Sequence, residues 1–289
     1  MSEKNIIKAI KDKGKNMESE MSFFGHLEAL RWHLMRSALA VVIFAVIAFW
    51  KFTWIYNTII MGPWHPDKFW TFRVFCQLGT FFHIDGFCVT KIDAELISTG
   101  VGDQFLLQLN SSIMIGVICG IPYILWELWR FIKPALLEKE RQAASGFVFY
   151  ATALFIVGIL FGYYILAPES IAFLAGYSVS PDIHNKFTVG SYLSILSTVT
   201  LITGVVFELP IIIYILASIG ILTATFMRKT RRYAIIIIMI VGAIISPSPD
   251  ILTTTIATIP LFVLYEVGIK VAAVVEKRRN KKHEDLMAS

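Results

Sequence analysis

Of the 289 residues, 56% are hydrophobic and 16% charged, and the mean hydropathy is +0.67. That balance excludes an ordinary soluble domain and indicates an integral membrane protein. The net charge of +5 is explained by the sidedness of the basic residues and by anionic lipid; no basic cluster has the surroundings that nucleic-acid binding requires, and no nucleic acid is expected.

A helix crossing a hydrocarbon core about 30 Å thick needs roughly 20 mostly apolar residues. Six stretches qualify as spans, at about 34–55, 105–130, 147–167, 192–218, 233–245 and 251–269. The expected fold class is an all-α integral membrane protein with six transmembrane helices, the last two short, a structured outer-face cap, and cytoplasmic N- and C-termini. Residues 1–20 carry Lys4, Lys8, Lys11, Lys13 and Lys15 but no apolar core with a cleavage site after it, and read as a basic flexible tail. Residues 21–270 form the membrane domain, and 271–289 a charged cytoplasmic tail.

Apolar residues at 23, 27, 30 and 34 make one helical stripe, so the segment 21–34 is expected to lie along the cytoplasmic surface, capped by Ser22, before turning into span one. The outer segment at about 56–103 is dense in aromatics (Trp64, Phe69, Trp70, Phe72, Phe75, Phe81, Phe82, Phe87). A loop of that length is expected to fold, with those rings as the core of the cap. Cys76 and Cys88 fall in this loop and Cys119 in span two. The outer pair forms a disulfide if that face is oxidising and is otherwise two free thiols; no spacing suits zinc, and no metal is expected.

The second polar segment, Phe131-Ile-Lys-Pro-Ala-Leu-Leu-Glu-Lys-Glu-Arg141, combines an aromatic anchor, a helix stop and two carboxylates. Its charges cannot enter hydrocarbon cheaply, so it faces water and is the best recognition surface in the chain. In span four, Phe207-Glu-Leu-Pro210 places a carboxylate and a helix-kinking proline in an apolar run. Tyr233–Ile245, about 20 Å as a helix, is joined to the last span by Ser246-Pro-Ser-Pro-Asp250. Such a hairpin either thins the bilayer or packs on other spans. Lys and Arg split 21 to 5 between the two sides, which places both termini in the cytoplasm.

Five pieces, in order from residue 21 to about 270, resemble the TatC family, the receptor subunit of the bacterial twin-arginine protein translocase. They are His26-Leu-Glu-Ala-Leu-Arg31, Phe131-Ile-Lys-Pro-Ala-Leu136 with Glu140-Arg141, Phe207-Glu-Leu-Pro210, Pro249-Asp250 and Glu266-Val-Gly268. The resemblance implies a signal-peptide receptor and core translocase component, multi-pass in the bacterial cytoplasmic (inner) membrane. It would export folded proteins using the proton-motive force. Its partners would be TatA-like and TatB-like single-span proteins, twin-arginine signal peptides, membrane lipid, and further copies of itself in the receptor complex. No enzymatic activity or cofactor is implied, and the sequence has no Walker loop, HExxH or GxSxG.

Glu140 matches the family's loop glutamate, and a carboxylate pairs bidentately with guanidinium as it cannot with lysine; the plain alternative is a solvated charge paired with Lys139 or Arg141. Phe131 and Pro134 shape the same loop. Where the family has a second glutamate, this chain has Ala29, with Glu28 one residue earlier and about 100° round the helix. Arg31 pairs with a loop carboxylate or a lipid phosphate; His26 packs or caps. Glu208, beside Pro210, is an intramembrane carboxyl for partner contact or transport, or one kept neutral by burial. Asp250 caps span six or meets a partner, and Thr254 stands where the family often has glutamine. Glu127 and Glu266 read as interfacial. The rival reading is a proton-coupled secondary transporter of a small solute, against which stand the lack of an inverted repeat and the single deep carboxylate. An intramembrane enzyme lacks a histidine at depth.

Overall fold

The computed structural model describes residues 3–82, 88–89, 91–92, 94–132, 146–180, 182, 184–248 and 250–287. Helix α1, Glu3–Trp50, is unbroken. The turn expected between a surface helix and span one is absent, and Ser22 lies mid-helix rather than at a cap; no proline interrupts residues 3–50, so nothing breaks the hydrogen-bond ladder. The lysine-rich stretch from Glu3 belongs to this same helix.

After Lys51 the chain makes a helical turn (Phe52–Ile55), a π-turn (Tyr56–Ile60) and a 3₁₀ turn (Gly62–Trp64), then α2, Trp70–Phe82. The loop is folded, as its length predicts, and aromatic packing holds it. Phe69 stacks on Tyr164 with centroids 5.4 Å apart, and Trp64 meets Tyr192 edge-on at 5.3 Å. Phe69, Phe72 and Phe75 are buried, whereas Trp70 and Phe81 point outward, so only part of the aromatic cluster is core. The Tyr163 and Tyr192 hydroxyls donate to the carbonyls of Ile59 and Ile60, satisfying the end of the π-turn from two later helices. Cys76 and Cys88 are joined by a disulfide. Strand β1, Glu95–Ile97, pairs in parallel with β2, Lys186–Thr188, tying this loop to the one before α6.

Helix α3, Asp103–Ile132, packs along α1. Gly116 and Gly120, four apart on one face, permit the approach: a Cβ at Gly116 would lie 2.7 Å from the Val41 carbonyl oxygen. Helix α4, Phe147–Phe161, runs through a π-turn at Gly162–Leu166 into α5, Ala167–Gly176. It packs on α6, Val189–Phe207, whose N-terminus is capped by Thr188. Helix α7, Leu209–Ser218, follows a break at Glu208, as the proline predicts. The chain then turns at Gly220 (φ 83°) into α8, Ala224–Lys229, α9, Arg231–Ile245, and α10, Ile251–Met287. Helix α10 lies against α9 and α7.

Tyr192, Leu196, Val199, Leu166, Ala257 and Leu261 form the main buried cluster, which joins α5, α6 and α10. Among the described residues, five stretches are helices long and apolar enough to cross a membrane: Glu28–Trp50, Asp103–Ile132, Val148–Gly176, Val189–Ser218 and Ile251–Arg279. The segment read as span five is helix α9, whose 15 residues fall short of that length. The chain is thus a mostly helical, multi-pass membrane protein.

Candidate functional site

The last turns of α3 lead directly into residues 133–145, and a polar cluster is built there. Glu127 sits one helical turn after Tyr123, so both point to the face that α1 covers. Its carboxylate is 1% exposed, and the His33 Nδ1 of α1 is bonded to Oε2. The Tyr123 hydroxyl donates to Oε1 at 2.9 Å, and the Arg130 guanidinium lies 3.7 Å from the same oxygen. A carboxylate so enclosed is tolerable only with such partners. Arg130 also covers the Trp126 ring at 4.8 Å, and Phe131 sets its ring edge-on to His33 with centroids 6.0 Å apart.

Around this cluster the residues singled out by sequence separate. Glu28 is exposed and accepts from Trp32 Nε1 at 3.1 Å. Ala29, half-buried, is one turn before His33 on the same face of α1. Arg31 is exposed and makes no ion pair with a described residue. Glu140, Pro134 and Arg141 lie outside the described residues, as does the side chain of His26.

At the α6–α7 break both Glu208 oxygens are shielded and lack a hydrogen-bond partner among the described residues. Pro210, buried at the start of α7, has no amide to donate. A cleft of about 560 Å³ lined by Phe52, Tyr56, Gln104, Gln108 and Gly190 does not include Glu208. Asp250 Oδ2 accepts from the Thr253 amide at 2.7 Å and its hydroxyl at 2.8 Å, which is the geometry of a helix cap. Burial raises its pKa, but hydrogen bonds from Ser248 and Thr253 outweigh that and hold it below the ordinary aspartate value. Thr254 is half-buried, and its carbonyl accepts from Thr258. Glu266 pairs with Arg231 at 2.7 Å.

Two features escaped sequence reading. The sequence places His33 outside the membrane core without naming a partner for it, although Tyr123 and Glu127 at helical spacing signal a polar face that needs one. Glu169 was passed over because span three was ended at 167; the helix continues to Gly176, and Glu169 is 8% exposed. The expectation of a single deep carboxylate is therefore corrected. No group of three or more His, Cys, Asp or Glu that would hold a metal occurs among the described residues.

Residues 25–260 match the family model of the Sec-independent protein translocase protein TatC. The chain belongs to the TatC family. A TatC from Blattabacterium sp. subsp. Periplaneta americana is 36% identical, the match covering 92% of this chain and 100% of that protein. One from Carboxydothermus hydrogenoformans is 30% identical over 90% of this chain and 96% of that protein. Two crystal structures described as the twin arginine translocase receptor TatC align with TM-scores of 0.64 and 0.65 at 29% identity, covering 86% of this chain and 99% of theirs. The chain is therefore a multi-pass TatC-family component of a protein translocase, and the family's work is transport rather than catalysis.

Proposed function

We propose that this TatC-family chain is the signal-peptide receptor of a twin-arginine translocase in a bacterial cytoplasmic membrane. What carries the reading is the family match over residues 25–260, which takes in every motif named above except Glu266-Val-Gly268. The paired arginines of a precursor dock at Glu140, with Glu28 as a second carboxylate in place of the one lost at Ala29. Phe131, Pro134, Arg31 and Arg141 shape and balance that surface. The anchoring of Phe131 on His33 supports the idea that the loop leaves α3 from a fixed platform.

In this reading α9 is a sixth, short crossing, both termini face the cytoplasm as the split of basic residues requires, and residues 56–103 cap the outer face. The 1–20 and 271–289 segments extend on the cytoplasmic side. The apolar part of the signal peptide moves beside Glu208 and Pro210. TatA-like and TatB-like helices pack on α9 and α10 near Asp250 and Thr254, copies of the chain associate, and the proton-motive force drives passage.

The experiment is site-specific crosslinking from positions 140 and 208 to a signal peptide bearing Arg-Arg or Lys-Lys, with export of a reporter measured in parallel. Crosslinks that require Arg-Arg and vanish in Glu140→Gln are expected. Crosslinks indifferent to both changes would remove the receptor assignment.

A further inference from the structure

Among the described residues, the Arg36 guanidinium at the α1–α3 seam meets no counter-ion. Arg36 is exposed, and it makes no hydrogen bond or ion pair with any described residue. It lies within the span Glu28–Trp50, 14 residues before its end, about 21 Å along the helix axis. Its exposed neighbours are Leu34, Met35 and Leu39, an apolar surface that acyl chains cover. A guanidinium set among acyl chains is stabilised by an anion that can bridge to it.

The described carboxylates nearby are engaged by other partners. Glu127 is enclosed and bonded to His33 and Tyr123, and Glu28 accepts from Trp32. A second arginine, Arg130, contacts Glu127 only at 3.7 Å and leaves 45% of its side chain exposed. Arg36 and Arg130 both lie within electrostatic range of the Tyr123 hydroxyl. Arg36 is one turn deeper than His33, and Arg130 one turn shallower than Glu127. The two are thus about 9 Å apart in depth, a gap that two extended arginine side chains close. Trp32 and Trp126, both exposed, flank the position as interfacial rings do.

We propose that Arg36 and Arg130 together bind the phosphate of one anionic phospholipid at the α1–α3 rim. The fork geometry of guanidinium suits two phosphate oxygens at once, while the apolar surroundings select a lipid headgroup over a free anion. The inference rests on the proposed orientation only for the choice of the cytoplasmic leaflet.

Purified full-length protein in zwitterionic detergent is titrated with phosphatidylglycerol, phosphatidylcholine or inorganic phosphate, and the unfolding midpoint is followed. Phosphatidylglycerol raises the midpoint of the wild type and of the control Lys270→Gln. In Arg36→Gln and Arg130→Gln the half-saturating lipid concentration rises about tenfold, the loss of one charge-assisted pair. Arg36→Lys, which keeps the charge without the fork, falls between. A lipid response in both glutamine variants equal to wild type overturns the proposal. So does an equal shift from phosphatidylcholine or from inorganic phosphate. Binding of Arg-Arg and Lys-Lys peptides is read on the same samples: peptide binding that ignores the arginines, beside an intact lipid response, sinks the receptor reading alone.

Discussion

The Glu127 carboxylate of α3 is closed over by the His33 imidazole of α1, with the Tyr123 hydroxyl on its other oxygen. This pair joins the two helices about a turn and a half before α3 ends at Ile132. Glu127→Ala leaves two donors without their acceptor in a buried place, whereas Glu127→Gln keeps an oxygen for Tyr123. The alanine variant is expected to lose about 3 kcal/mol and the glutamine variant clearly less. Chemical unfolding in detergent separates them, and equal losses would mean that the carboxylate does not clamp the seam.

Farther along the same interface, Gly116→Leu has no room. Even a Cβ there would stand 2.7 Å from the Val41 carbonyl and 2.8 Å from Ala45, so α1 must move off α3. A cost of about 1–3 kcal/mol is expected. Chemical unfolding in detergent reads the loss, and a Gly116→Leu variant as stable as the parent would argue against the close approach.

Asp250 makes the start of α10 sensitive to acid. Its folded pKa is depressed, so its contribution is complete above the unfolded value near 3.9 and is lost as the pH falls through the lower folded value. Asp250→Ala should cost about 1 kcal/mol at neutral pH. Asp250→Asn should remain close to wild type at neutral pH and lack the acid-dependent loss. Melting curves from about pH 5 down to about pH 2 in half-unit steps cover this window, and a wild-type profile no steeper than that of Asp250→Asn would contradict the cap.

Glu208 is expected to set stability against function. Both of its oxygens are shielded and unpaired, and removing an unsatisfied polar group is worth about 1–2 kcal/mol. Glu208→Leu should therefore raise the unfolding midpoint while lowering export of a twin-arginine reporter. A variant that is both more stable and fully active would leave Glu208 without a role in transport.

Much of this was legible because it depends on local chemistry. Pro210 and the Asp250 cap act within a turn of their own position, and five spans are long enough for length alone to declare them. Three kinds of feature were not legible. The first is pairing between distant parts: strands of three residues such as Glu95–Ile97 and Lys186–Thr188 carry no period of their own, and His33 gives no sign of which helix it will face. The second is continuity, since nothing in the stripe at 23–34 marks that the helix runs straight on into span one. The third is helix length past the apolar run, which hid Glu169 in an assumed loop. At the candidate site Glu28 and Glu208 were found by type, and the enclosure of Glu127 required the fold.

Helix α1 has α3 as its main packing partner and turns most of its other residues outward. In biogenesis it therefore emerges well before the segment that will hold it. Until α3 is made it has to persist as a lone helix in lipid, kept there by the apolar residues that surround it from Ala38 to Trp50. Docking then follows as a separate event, in which two glycines on the newcomer supply the slot.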